Sequence, residues 1–179
     1  AGQHGVAGDP ANLLTAEGTE NRMKDFLVNQ LDYIFFFYGL SFMLLGTVCF
    51  LSRRFAKNLL PWTPLALFGL VHGTCEWLEL LCFSLNLQTL NHIRILLIVL
   101  SFVFLAEFAR QGLSIGKPGW RGRWILLLPI ALTCLGAIQD GWTGLEVAAR
   151  YALAFPASLA AGVAMIRARR RNALKSSNL

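Results

Sequence analysis

Residues 31–51 read LDYIFFFYGLSFMLLGTVCFL, and Ser52, Arg53 and Arg54 follow directly. The run is apolar around its whole circumference, whereas a helix of a soluble bundle would carry a polar stripe at the helical period. Its length is close to the roughly 20 residues that a helix needs to cross the hydrocarbon core of a bilayer. The stretch therefore predicts a transmembrane helix that ends at a basic stop.

Four further apolar runs predict four more spans, at about 61–87, 92–108, 124–138 and 146–166. The composition agrees, because 55% of the residues are hydrophobic, only 15% are charged and the mean hydropathy is +0.53. A chain of 179 residues is too small to bury that much apolar surface in a water-soluble fold. The predicted fold class is all-α, a polytopic membrane helix bundle of about five transmembrane helices within residues 21–166.

The positive charges predict the orientation of this bundle. Twelve of the sixteen Lys and Arg residues fall in the loop between spans one and two, in the loop between spans three and four, or in the tail. By the positive-inside rule these regions are cytoplasmic. The N-terminus is then outside, with residues 1–20 as a mobile extracytoplasmic segment and residues 167–179 as a basic cytoplasmic tail. The same clustering argues against nucleic-acid binding despite the net charge of +6.

Ionisable residues inside the second span are the first functional candidates, because they are costly at membrane depth. His72, Glu76 and Glu79 are spaced i, i+4 and i+7 and so share one helix face. Three interpretations stay open: a polar seam that holds the bundle together, a ligand- or quinone-type pocket, and a proton path or metal site. No metal is assigned, because the spacing differs from that of zinc peptidases and a fourth ligand is not identified.

Two further groups of residues are candidates for structural roles. Gly69 and Gly73 form a small-xxx-small pair, which predicts a close helix contact. Charged residues at similar depths near the starts of spans one, three and five predict an outer charge layer together with Glu79, or else separate snorkelling to water. These residues are Asp32, Arg94, Glu146 and Arg150.

The sequence offers little support for a familiar cofactor site or catalytic motif. A bis-histidine haem is not expected, because His72 is mid-span and His92 lies at the end of span three, a depth difference of roughly 15 Å or more. The sequence carries no Gly-rich phosphate loop and no nucleophile elbow. We therefore expect no enzymatic activity from this chain by itself, and the sequence identifies no cofactor.

Two stretches carry a family resemblance: residues 38–46 read YGLSFMLLG and residues 68–79 read FGLVHGTCEWLE. Together they resemble the N-terminal membrane regions of certain bacterial sensor histidine kinases and diguanylate cyclases. In these regions an aromatic, glycine-bearing first helix precedes a helix with an H-G-x-x-E-W-like segment. The resemblance implies a sensor in the bacterial cytoplasmic (inner) membrane, followed by a cytoplasmic output domain. Since the sequence stops at Leu179 without one, we expect either a truncated sensor or a stand-alone relative.

Two functional hypotheses follow. The first is a membrane-embedded sensory or interaction module that binds a membrane-soluble or extracytoplasmic signal and changes the orientation of the fifth helix. The alternative is an accessory transmembrane subunit of a larger respiratory or photosynthetic complex. A small transporter or membrane enzyme would rest only on the stripe in span two. The expected partners are the lipid bilayer and a protein partner or fused output domain, and the sequence leaves homo-oligomerisation open.

Overall fold

The computed structural model describes residues 10–55, 60–85, 88–114 and 122–176, and this part of the chain is helical with no strand. The predicted all-α class is therefore confirmed. The described residues form five α-helices: α1 Pro10–Phe55, α2 Trp62–Leu85, α3 Gln88–Ser114, α4 Leu127–Ala148 and α5 Phe155–Ser176. A 3-10 turn over Arg123–Leu126 precedes α4, and a π-helical segment, Ala149–Ala154, joins α4 to α5.

In the described part of the chain, four helical stretches are long and apolar enough to cross a membrane: Tyr33–Phe55, Trp62–Cys82, Leu90–Ser114 and Trp124–Arg171. The first three overlap the spans predicted at 31–51, 61–87 and 92–108. Only 17% of the apolar window in the first stretch is buried against protein. Such extensive exposed apolar surface is stable only against lipid, so the helices suggest a membrane-spanning protein.

The fourth stretch reverses direction at Asp140 and Gly141, whose backbone angles are non-helical. Gly141 has φ 60° and ψ −134°, a conformation that glycine adopts without a steric penalty. Beyond this point the chain runs back antiparallel to the preceding segment. The evidence is that Gly136 and Ala148 are in contact, since a Cβ placed on Gly136 would collide with the Cβ of Ala148. In a straight helix these two residues would lie about 18 Å apart. The reversal falls between residues 138 and 146, where the sequence predicts a loop.

The two ends of the chain and three of its loops fall partly or wholly outside the described residues. Residues 1–9 are outside them, and α1 begins at Pro10, within the segment predicted to be mobile over residues 1–20. The basic tail predicted over residues 167–179 continues α5 as helix as far as Ser176. Three of the loop cations used to predict the orientation, Lys57, Lys117 and Arg121, also lie outside the described residues.

Glycines bring α1 and α2 into backbone contact at two levels. A Cβ on Gly69 would lie 2.7 Å from the amide nitrogen of Gly46, and a Cβ on Gly73 would lie 2.7 Å from the carbonyl oxygen of Gly39. Real Cβ atoms do not approach backbone so closely, so glycine is required at Gly69 and Gly73 for this packing. The predicted small-xxx-small pair thus faces α1 in the structure.

The helices pack in sequence, α1 on α2, α2 on α3 and α3 on α5. In the described part of the chain no packing of similar extent joins α1 to α5. α2 and α3 therefore form the floor of a groove whose two walls are α1 and α5.

The π-helical segment Ala149–Ala154 has a local cause in the sequence. Pro156 lacks the N–H that would bond to the carbonyl of residue 152, so the regular hydrogen-bond ladder is interrupted there. A π-helical turn is wider than an α-helical turn and accommodates this interruption. Its residues Ala149 and Leu153 are buried, while Arg150 and Ala154 face the groove. The segment is therefore the part of the α5 wall that lies opposite the polar face of α2.

Candidate functional site

The groove contains a cavity of about 580 Å³ between α1, α2, α3, the π-helical segment and α5. This volume lies within the range of small-molecule binding sites, roughly 300–1,000 Å³. Ionisable groups reach it from α2 and from the π-helical segment, namely His72, Glu76, Glu79 and Arg150, and Ser158 on α5 also lines it. Most of the rest of its surface is aromatic and comes from Phe35, Tyr38, Phe42, Phe68, Phe102 and Phe155. The site is thus a largely aromatic cavity whose charged groups lie on one side.

His72 is buried, with 6% of its surface exposed, and its Nδ1 lies 3.0 Å from the Ser101 hydroxyl. That hydroxyl donates its proton to the carbonyl oxygen of Ile98, 2.7 Å away. A hydroxyl has one proton to give, so Ser101 accepts from His72. Nδ1 of His72 therefore carries a proton, and Nε2 is left to interact with other groups.

Glu76 is the neighbour of that second nitrogen, with Oε1 3.5 Å from Nε2 of His72. Both side chains are more than nine-tenths buried. Since Nδ1 is already protonated, a single further proton on Nε2 or on the carboxylate gives the pair a net charge of zero. The pair can consequently donate or accept a hydrogen bond toward the cavity, depending on which member holds that proton.

Phenylalanine rings surround the His72 imidazole and keep water from it. Ring centroids lie 4.4 Å away for Phe42, 5.2 Å for Phe68 and 5.4 Å for Phe102. These rings come from three different helices, so the imidazole is held by packing as well as by Ser101. In so apolar a setting hydrogen bonds and charge interactions are stronger than in water.

A charge cluster closes the polar end of the groove around the buried guanidinium of Arg94. Arg94 donates to Glu79 at 3.1 Å, to both oxygens of Glu146 at 3.2 and 2.9 Å, and to Asn91 at 3.1 Å. Arg150 donates to Glu146 at 2.6 Å. Paired contacts of this kind between a guanidinium and a carboxylate are strong and directional. The cluster ties α2, α3 and α4 together at one end of the bundle.

The structure brings together four of the five residues of the predicted charge layer, Glu79, Arg94, Glu146 and Arg150. The side chain of Asp32 lies outside the described residues. Two arginines and two glutamates balance in this cluster, and Glu76 lies outside it beside His72. The predicted stripe on α2 thus divides into a His72–Glu76 pair beside the cavity and a Glu79 that belongs to the Arg94 cluster.

Sequence reasoning did not identify Ser101, Tyr38 or the phenylalanines as parts of the site. Ser101 offers a signal, because it is a polar residue near the middle of the third span, as His72 is in the second. The phenylalanines offer none, since apolar side chains are expected throughout a membrane helix. Within the described residues no group of three or more His, Cys, Asp or Glu is arranged to hold a metal ion.

No known protein family, curated protein or solved structure matches the chain. The fold and the site suggest a helical membrane protein with a largely aromatic cavity between its helices. Its function is therefore argued from that cavity.

Proposed function

We propose that the chain is a membrane-embedded sensory module that binds a membrane-soluble ligand in the aromatic cavity and is not catalytic by itself. The observation that carries this proposal is the cavity of about 580 Å³ beside the buried His72–Glu76 pair. A polar seam that only held helices together would need no such space. An open groove of this volume, with ionisable groups on one side and aromatic rings around them, suits a bound small molecule.

The geometry of the groove supports entry of the ligand from the bilayer. α1 and α5 are its walls, and the described residues include no extensive packing between them. A ligand dissolved in the membrane could therefore pass between these helices without crossing a charged surface. Its polar part would meet His72, Glu76 and Arg150, while its apolar part would lie against Phe42, Phe102 and the lipid.

We also propose that the chain crosses a bacterial cytoplasmic membrane five times, with the N-terminus outside and the C-terminus inside. The chain reversal at Asp140 and Gly141 supports five spans, because it divides Trp124–Arg171 into two antiparallel arms. The basic residues that end α1 and continue α5, among them Arg53, Arg54 and Arg167, support a cytoplasmic location for that end. The resemblance of residues 68–79 to bacterial sensors supports a bacterial membrane.

A signal could leave the site through α5, which forms one cavity wall and runs on as helix through Arg167 to Ser176. α5 rests on α3 mainly through small residues, and a Cβ on Gly112 would lie 2.9 Å from the Cβ of Ala164. Smooth contacts of this kind permit small shifts of one helix along another. Ligand between α1 and α5 would then change the position of α5 relative to a protein partner or output domain.

The test is purification of the full chain from native membranes, with mass spectrometry of the bound small molecules and thermal unfolding in detergent. Wild type and His72→Ala are compared. The proposal predicts a small molecule on the wild type and its loss from a variant that still inserts and unfolds cooperatively. Reduced stability with unchanged bound material would instead identify a polar seam. Co-purification of other protein chains in fixed stoichiometry, with no small molecule, would identify an accessory subunit.

A further inference from the structure

The charged side chains around the cavity favour a ligand head without net charge. Arg94 and Arg150 are paired with Glu79 and Glu146, and Glu76 lies 3.5 Å from His72. Each of these groups has a partner within the protein, and an unpaired charge at membrane depth is strongly disfavoured. A neutral head that is recognised through hydrogen bonds therefore suits the cavity best.

Two hydrogen-bond donors face the cavity from its opposite walls. Tyr38 on α1 contributes a phenolic hydroxyl, which has no hydrogen-bond partner among the described residues. Arg150 on the opposite wall uses Nη2 to bond Glu146, and its guanidinium has five N–H groups in all. About half of its side-chain surface is exposed, so the other N–H groups are accessible. Donors on both walls suit a head with acceptors on two opposite edges.

The lining between these donors suits a flat ring. Phe35 and Phe155 line the groove from its two walls, and Phe42, Phe68 and Phe102 form the apolar surface around His72. Aromatic side chains contact planar rings favourably in offset-stacked or edge-to-face geometry. An aliphatic hydroxyl or ester head would gain less from this surface and would not use both donors.

From these three features we infer that the cavity binds the ring of a quinone, with one carbonyl accepting from Tyr38 and the other from Arg150. The His72–Glu76 pair then lies beside the ring, and the hydrophobic tail leaves the groove between α1 and α5. This assignment rests on the proposed function and adds the chemical class of the ligand. It concerns binding only and includes no electron transfer to or from the protein.

The probe for the test is a benzoquinone with a decyl tail, titrated into the full chain in lipid nanodiscs and measured by equilibrium partitioning. Tyr38→Phe removes one donor and keeps the ring, so its binding should weaken about fivefold, the effect of losing one hydrogen bond. Tyr33→Phe is the matched control, because Tyr33 is an exposed residue of the same helix that does not line the cavity. Arg150→Met, which removes the other donor, should weaken binding by a similar factor.

Competition separates the chemical classes. Decanol and decanoate at the same concentration should not displace the quinone. Displacement by decanoate would overturn the inference in favour of an acid ligand, and displacement by decanol in favour of a hydroxyl ligand. Equal binding to wild type and Tyr38→Phe would also overturn it. If the chain binds no quinone but co-purifies with another small molecule, the quinone assignment alone is wrong. If it co-purifies with no small molecule at all, the proposed function is contradicted as well.

Discussion

His72 donates a hydrogen bond from Nδ1 to the hydroxyl of Ser101, 3.0 Å away and 29 residues further along the chain. This bond joins α2 to α3 near the middle of both membrane-spanning stretches. It also sets which imidazole nitrogen faces Glu76 and the cavity. The relationship is therefore both a packing contact and a constraint on the chemistry of the site.

Replacing Ser101 by alanine should leave the N–H of His72 buried without an acceptor. An unsatisfied buried donor costs about 1–3 kcal/mol of folding free energy. We expect Ser101→Ala to unfold at a lower temperature than wild type in detergent. Ser41→Ala is the control, because the Ser41 hydroxyl is exposed and bonds only within its own helix. Equal unfolding temperatures for the two variants would contradict the described hydrogen bond.

Removing Arg94 should be more damaging than removing Arg150. Arg94→Gln leaves Glu79 and part of Glu146 without their main partner inside the bundle, and breaking a buried ion pair in this way costs about 3–5 kcal/mol. Arg150 has half of its side-chain surface exposed, so Arg150→Gln should cost about 1 kcal/mol or less. The amount of monodisperse protein recovered after membrane extraction, together with its unfolding temperature, measures both. A ranking in which Arg150→Gln is the less stable variant would refute the Arg94-centred cluster.

Backbone contact between α1 and α2 predicts that even one methyl group is harmful at Gly73. Gly73→Ala places a Cβ 2.7 Å from the carbonyl oxygen of Gly39, and overpacking of this kind costs about 1–3 kcal/mol. Gly162→Ala is the matched control, since nothing lies within 4 Å of its Cβ position. That variant should be neutral or slightly stabilised by the higher helix propensity of alanine. A destabilisation of both variants by the same amount would show that the contact with α1 is not the cause.

Reporter fusions test the proposed five-span topology. Fusions after Lys57, Lys117 and Lys175 should report the cytoplasm, and fusions near Gln88 and Asp140 the opposite side. The fusion at Asp140 is the informative one, because the chain reverses there. A cytoplasmic signal at Asp140 would mean that the two arms of Trp124–Arg171 do not each cross the membrane.

Hydropathy and charge were sufficient to predict helices as the fold class, because a bilayer imposes length and apolar character on each spanning segment separately. They also identified His72, Glu76, Glu79, Arg94, Glu146 and Arg150 as unusual at their depth. Which of these meet depends on the rotation and pairing of the helices, which a hydropathy pattern does not contain. The separation of Glu79 from the His72–Glu76 pair could not be predicted for this reason. The cavity could not be predicted from the sequence either, because it lies where α1 and α5 do not pack against each other.

The most direct test of ligand binding is to fill the cavity without changing His72, Glu76, Tyr38 or Arg150. Ser158 lines the cavity on α5, and the adjacent Leu159 is exposed outside it. Mass spectrometry of full-length Ser158→Phe and Leu159→Phe, extracted in parallel from native membranes, gives the ligand occupancy of each. We expect loss of the small molecule from Ser158→Phe and wild-type occupancy in Leu159→Phe. Retention of the same small molecule by Ser158→Phe would contradict the assignment of the cavity as its binding site.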